Sequence, residues 1–206
     1  MFKNSKISAN ALRFSLFFGL LCAVFLSFSS FNADCEELRQ NVLRLHIIAN
    51  SDSEADQALK LKIRDRILEN SGDIFSESTT LEDAILVAED KLPEFEKIAN
   101  EVIADEGFSY SAAAEIGDSF FETRVYDDFT LPAGTYKSLI IRVGKAEGKN
   151  WWCVIFPEIC LPAAADTSLS KTVNENGVEI AENSDRYILR FKTVEIYEEI
   201  KNLFKR

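Results

Sequence analysis

The stretch that decides the fold is NVLRLHIIANSDSEADQALKLKIRDRILEN, residues 41–70. Its first residues set Leu43, Leu45 and Ile47 on one side of an extended chain and Arg44, His46 and Ile48 on the other, the period-two pattern of a strand. Asn50-Ser51-Asp52-Ser53 then supplies turn chemistry. Ser53 is the expected N-cap, because a serine hydroxyl accepts from the first free amides of a helix. In the segment that follows, Leu59, Ile63 and Ile67 recur every four residues beside Ala55 and Leu68, which makes one apolar stripe. Lys60, Lys62, Arg64 and Arg66 decorate the remaining surface and form the one basic patch on an acidic chain.

Working outward, a second helical stretch starts at Thr79 or Thr80 with a threonine cap and early acids, is kinked or divided at Pro93, and stops at Gly107. From Tyr110 the pattern turns to β over 111–126, 137–143 and 151–156, separated by Leu131-Pro132-Ala133-Gly134-Thr135-Tyr136 and by the turn from Gly144 to Gly148. These three are expected to form an antiparallel meander. Residues 161–184 read as a loop, Tyr187 to Phe191 as a short strand, and Val194 to Phe204 as a closing amphipathic helix. The order argues an α+β fold, with the N-terminal strand and helices packed on one face of a largely antiparallel sheet. No internal repeat is present.

With 206 residues, the chain has room for one main domain, and 47% hydrophobic with 28% charged residues excludes disorder and a multi-span membrane protein. The formal net charge of -11 argues against general nucleic-acid binding, which needs a clustered positive surface. Residues 1–33 read apart from residues 34–206. Lys3, Lys6 and Arg13 precede an uncharged apolar run from Phe14 to Phe31, and no acid occurs before Asp34. This is a signal peptide or an N-terminal membrane anchor, and the positive-inside rule sends the single domain of residues 34–206 out of the cytoplasm. Ser27-Phe28-Ser29 offers small residues for cleavage, whereas Phe31 spoils a site after Ala33. Lipidation fails because Asp34 precedes Cys35 and Leu21 precedes Cys22. Without Lys3, Lys6 and Arg13 the exported part has 20 basic against 34 acidic residues, a net of -14.

Cys35, Cys153 and Cys160 remain after the apolar run. Cys153 and Cys160, separated by a segment that Pro157 can turn back, are the candidate disulfide in an oxidising compartment, against the alternative of two buried thiols. No cysteine or histidine spacing fits a metal site, and nothing calls for a cofactor. His46 is the single histidine. A hydrolase could enlist it with Ser51 or Ser53 and Asp52, but no G-x-S-x-G elbow is present, and a partly buried strand histidine with polar partners explains it better. Asp166-Thr167-Ser168 lacks the glycine of an aspartic-protease triplet, and Leu131 to Thr135 inverts a sortase signal. Glu82, Asp83, Glu89 and Asp90 read as a solvated helix face. Trp151 and Trp152 point to opposite faces of one strand, which is either central and covered on both sides or exposed on one face as a docking patch.

VLRLHIIANSDSEADQALKLKIRDRIL at 42–68 and LPAGTYKSLIIRVGKAEGKNWWCVIFP at 131–157 together resemble the stage II sporulation protein R family of endospore-forming Firmicutes. That resemblance implies an exported signalling protein, not an enzyme, made in the forespore and sent into the intermembrane space of the septum. It implies as partner a membrane-embedded aspartic protease of the mother cell, the sporulation sigma factor E processing peptidase. On the two matching blocks the partner-binding candidates are Arg44, His46, Asn50, Asp52, Gln57, Lys60, Arg64 and Asp65, then Lys149, Asn150, Trp151 and Trp152. Residues that merely hold strand, turn and helix together would account for the same positions. The competing classes are a secreted hydrolase acting on cell wall and an anchored structural protein of the septum.

Overall fold

The structure is a computed structural model, which describes residues 9–126, 129–157 and 172–204. Helix α1 spans Ala9–Gln40 and leads into strand β1, Leu43–Ile48. Helices α2 (Glu54–Phe75), α3 (Leu81–Asp90) and α4 (Leu92–Asp105) follow, then β2 (Ala112–Phe121), the short pair β3 (Arg124–Val125) and β4 (Thr130–Leu131), β5 (Gly134–Val143) and β6 (Asn150–Phe156). Helix α5 (Glu175–Glu182) and helix α6 (Ile188–Leu203) end the described chain. The architecture is mixed α+β.

The local signals act as their chemistry requires. Ser53 caps α2 by accepting from the Asp56 amide, and Thr80 forms a reciprocal capping box with Asp83 at the start of α3. Pro93 sits in the first turn of α4, where its missing N–H costs nothing, so the long helical stretch divides there. Gly107 takes a positive φ of 78° just past α4.

The sheet order is β2-β5-β1-β6. β5 pairs antiparallel with β2, with Ala112 opposite Val143 and Phe121 opposite Gly134, and β1 pairs antiparallel with β6. Between β1 and β5 the pairing is parallel, with Leu45 opposite Leu139. The expected meander is therefore corrected, because β1 inserts between β5 and β6. The reason is burial: Leu43, Leu45 and Ile47 are wholly inaccessible on one face and Arg44 on the other, so β1 needs neighbours on both edges and cover on both sides. Among the described strands β6 is an edge, not the central strand that its apolar faces suggested.

Leu43, Leu45, Ile47, Leu139, Ile141, Cys153 and Ile155 share one core with α2, α3 and α4, through Leu59, Ile63, Ile67, Ala84 and Phe95. The opposite face is covered too. Tyr136, Val154 and Phe121 pack there with Leu38 at the end of α1, Val42 just before β1, Ala181 of α5, and Phe129 and Leu131 of the β3–β4 hairpin. Helical cover thus lies on both faces and not on one as expected, because Phe121, Tyr136 and Val154 make the second face apolar around the buried Arg44.

Two further expectations change. Tyr187 to Phe191 is not a strand: a 3-10 turn at Ser184–Arg186 runs into α6, which puts Phe191, Val194 and Glu198 on one buried helical face. Of the expected loop at 161–184, residues 161–171 lie outside the described residues and Glu175–Glu182 is helical, capped by Asn174 on the Gly177 amide. At the other end, α1 is continuous through residues 33 and 34. Phe31 is buried between Tyr187 and Phe191, and Cys35 and Leu38 have no exposed surface.

Candidate functional site

The first matching block builds a junction at one end of the sheet, where β1 passes into α2. Asp56, only 6% exposed, is its hub. Its carboxylate accepts from Asn50 Nδ2 at 2.9 Å, from the Ser51 hydroxyl and from the Tyr110 hydroxyl. Burial alone would raise the Asp56 pKa, but these donors, with Ser53, hold it down at about 2. Burial, with the adjoining Asp56 charge, pushes the Tyr110 phenol above its ordinary value.

The remaining polar residues of this block tie the junction to the β5–β6 turn. Asn50 Oδ1 accepts from the Lys145 amide at 3.0 Å, and Asp52 Oδ1 accepts from the Lys149 amide at 2.7 Å. Gln57 donates to the Ser51 carbonyl at 2.8 Å and accepts from Lys60 Nζ, which also donates to the Lys149 carbonyl at 3.0 Å. Burial lowers the Lys60 pKa, against the pull of Asp52. Gly148 is required here, since a Cβ would run into the Ser51 carbonyl. Asn50, Asp52, Gln57 and Lys60 are thus engaged inside the molecule, and the main chain of Lys149 with them.

The two tryptophans of the second block stand on opposite faces of β6, each half-buried and each covered by an arginine. Arg64 of α2 lies over the Trp151 ring at 4.4 Å and pairs with Asp65 at 2.6 Å. Arg124 of β3 lies over the Trp152 ring, also at 4.4 Å. Such stacks present a flat amphipathic surface that is ordered before any partner arrives. Asn150 and Lys149 are exposed beside them, and the period of the strand puts Asn150 on the Trp152 side, so Arg64, Asp65 and Trp151 form one surface and Arg124, Asn150 and Trp152 another around the same strand.

Beneath Trp152 lies an unusual polar core. Arg44 is wholly buried, with its guanidinium 3.9 Å from the Phe121 centroid and 4.9 Å from that of Tyr136, and its Nη2 donates to the Tyr126 hydroxyl at 2.6 Å. The rings supply the attraction that a carboxylate would otherwise provide. His46 Nδ1 lies 3.1 Å from Ser119 Oγ, and the imidazole packs edge-on against Phe121 and beside Trp152. Burial depresses the His46 pKa against a hydrogen bond with Asn150, and Arg142 and Arg44 add to the depression.

The hydrolase constellation is not brought together. Ser51, Asp52 and Ser53 are held in the α2 cap, while His46 lies on β1 with its Nδ1 3.1 Å from Ser119 Oγ, away from all three. A base oriented by a third group is not formed. Among the described residues no three His, Cys, Asp or Glu side chains are grouped to hold a metal ion. Cys153 is buried on β6 and is not a free thiol, while Cys160 lies outside the described residues, as does Asp166.

Sequence reading missed Asp56, Tyr110, Ser119, Arg124 and Tyr126. Ser53-x-x-Asp56 carries the spacing of a capping box, which signals Asp56. The others come from distant segments and leave no local mark.

No solved structure matches this chain. The chain is 35% identical over 158 residues to stage II sporulation protein R of Bacillus subtilis (strain 168), an alignment covering 77% of this chain and 66% of that relative, just under two thirds of its length. The family model described as stage II sporulation protein R matches residues 39–166, which include β1, the α2 junction and the whole sheet. On that match and that identity, the chain belongs to the stage II sporulation protein R family.

Proposed function

We propose that this protein is an exported intercompartmental signal of endospore formation, which binds and activates a membrane-embedded aspartic protease of the mother cell that processes the sigma factor E precursor. Family membership supports the sporulation role, and the acidic domain behind an apolar N-terminal helix fits export into the intermembrane space of the septum. The observation that carries the binding reading is the edge strand β6, whose Trp151 and Trp152 are each stacked under an arginine and only half-buried. Tryptophan and arginine are the side chains most often found as energetic anchors of interfaces. The Cys153–Cys160 disulfide, formed after export, would brace the end of this strand.

Residues 14–31 hold the protein at the membrane in this reading. Phe28 packs edge-on against Tyr197 and Phe31 is buried in a core of its own with Phe191 and Val194, so cleavage after Ser29 or Ala33 would strip packed rings from the domain.

Reconstituting the protease with its substrate in vesicles, and adding the full chain, tests the activation. Trp152→Ala should weaken activation about 30-fold, the equivalent of about 2 kcal/mol, with little change in the melting temperature. His46→Gln, folded, should remain active. A folded His46→Gln chain that binds the protease but supports no processing would overturn the binding mechanism in favour of catalysis.

A further inference from the structure

Among the described residues, every exposed large apolar side chain except Leu86 and Val125 lies on α1, on α6 or, for Phe204, at the C-cap of α6. On α1 these belong to the apolar run. On α6 they form a second, separate face: Leu189, Ile196, Ile200 and Leu203 are 82%, 48%, 49% and 71% exposed, and at 100° per residue they fall along one stripe. That stripe lies opposite the buried Phe191, Val194 and Glu198. A helix apolar on both sides has a partner on each.

The contacts of α6 fix which way the stripe looks. Tyr187 and Phe191 meet Phe31. About 10 Å further along α6, Tyr197 meets the ring of Phe28 while Glu198, 3% exposed, reaches Arg39 at 3.7 Å. Neighbouring residues of α6 thus straddle the level of Phe31 on α1, reaching the apolar run on one side and the domain on the other. α6 therefore runs across α1, not along it, and when α1 stands in a bilayer α6 lies near the plane of its surface. The stripe is on the Tyr197 side, facing away from Glu198. Because the Glu198–Arg39 pair is buried, α6 cannot roll to hide the stripe.

We infer that α6 is a second membrane contact, an interfacial amphipathic helix that seats Ile196, Ile200, Leu203 and Phe204 in the outer boundary of the same bilayer that holds α1. The occupant is lipid, because the stripe continues the apolar surface of α1 on its membrane side. This rests on the reading that α1 is retained. Interfacial helices bury their apolar face about 5–10 Å deep. Arg190, Lys192 and Lys201 are matched by Glu195, Glu198 and Glu199, with Lys192 and Lys201 paired to Glu195 and Glu198, so the contact depends on apolar burial and not on anionic lipid.

The test is single tryptophan reporters in the full chain, reconstituted in phosphatidylcholine vesicles with and without brominated acyl chains, the signal of Trp151 and Trp152 being subtracted from the unsubstituted chain. Leu203→Trp should lose about half its emission or more, as bromines at interfacial depth would require. Val125→Trp, on the exposed hairpin, should lose none. Leu20→Trp reports α1 itself. Quenching at Leu203→Trp, even with Leu20→Trp unquenched, supports the lipid contact, and in the latter case it is the anchor reading that fails. An unquenched Leu203→Trp beside a quenched Leu20→Trp overturns the inference and assigns the stripe to a protein partner or a second copy. Equal quenching of Val125→Trp and Leu203→Trp also overturns it, because the domain would then face the bilayer without the orientation that the contacts between α1 and α6 impose.

Discussion

Asp56→Asn strikes the junction that joins strand, helix and the β5–β6 turn. The carboxylate accepts from three side-chain donors, Asn50, Ser51 and Tyr110, and the substitution removes the charge while turning one of its two acceptor atoms into a donor. Each charge-assisted hydrogen bond is worth about 1.5–3 kcal/mol. The three share one acceptor and do not add, so the expected loss at neutral pH is about 2–4 kcal/mol. The titration gives a second handle. Holding the group at about 2 when its ordinary value is 3.8 corresponds to about 2 kcal/mol, trimmed to about 1–2 by the water at the edge of the junction. Since the folded value lies below the unfolded one, this stabilisation is complete above the unfolded value and is lost as pH falls through the folded value.

Urea unfolding of the full chain in detergent micelles, followed by tryptophan fluorescence, measures both effects. The stability gap between the unsubstituted chain and Asp56→Asn should be widest from about pH 6 upward, narrow below about pH 4 and be smallest near pH 2. Comparing the gap, and not either protein alone, removes the acid titration of the other carboxylates. A gap that is the same at both ends of this range, or an Asn variant as stable as the parent, would refute the hub role.

Ile63→Ala should destabilise by about 2–5 kcal/mol in the same assay, because Ile63 is wholly buried between α2 and the sheet; a loss under about 1 kcal/mol would contradict the described core. Cys35 is a free, fully buried thiol at the point where α1 meets α6, so the folded chain should resist alkylation there and react only after unfolding. Mass spectrometry after native labelling checks this, and rapid modification of Cys35 would show that α1 does not dock as described.

The parts of the fold that were legible in the sequence are those whose cause is local. Leu43, Leu45 and Ile47 against Arg44 and His46 declare a strand, and Ser53 and Thr80 declare the helix starts, because period and capping are set within a few residues. The sheet order was not legible. Strand β1 pairs in parallel with β5, some ninety residues later, and nothing in either segment says which edge the other will take. Tyr187 to Phe191 shows the same limit at short range. Five residues fit either period, and what decides is Phe31 from the far end of the chain, against which a helix can stack both Tyr187 and Phe191.

The candidate site divides along the same line. Trp151 and Trp152 were visible as a docking candidate, but their significance depends on β6 being an edge and on Arg64 and Arg124 reaching them from two other elements. The block residues Asn50, Asp52, Gln57 and Lys60 looked equally suited to a partner, and the structure gives each an internal hydrogen-bond partner. A polar group already satisfied within the molecule must break that bond to serve another, at a cost of about 1 kcal/mol or more. The stacked arginines carry no such penalty, since a ring arriving on their outer face can add to the stack instead of replacing it. On that difference the partner contact proposed above is assigned to the tryptophan surfaces of β6, while the junction around Asp56 holds that strand in place.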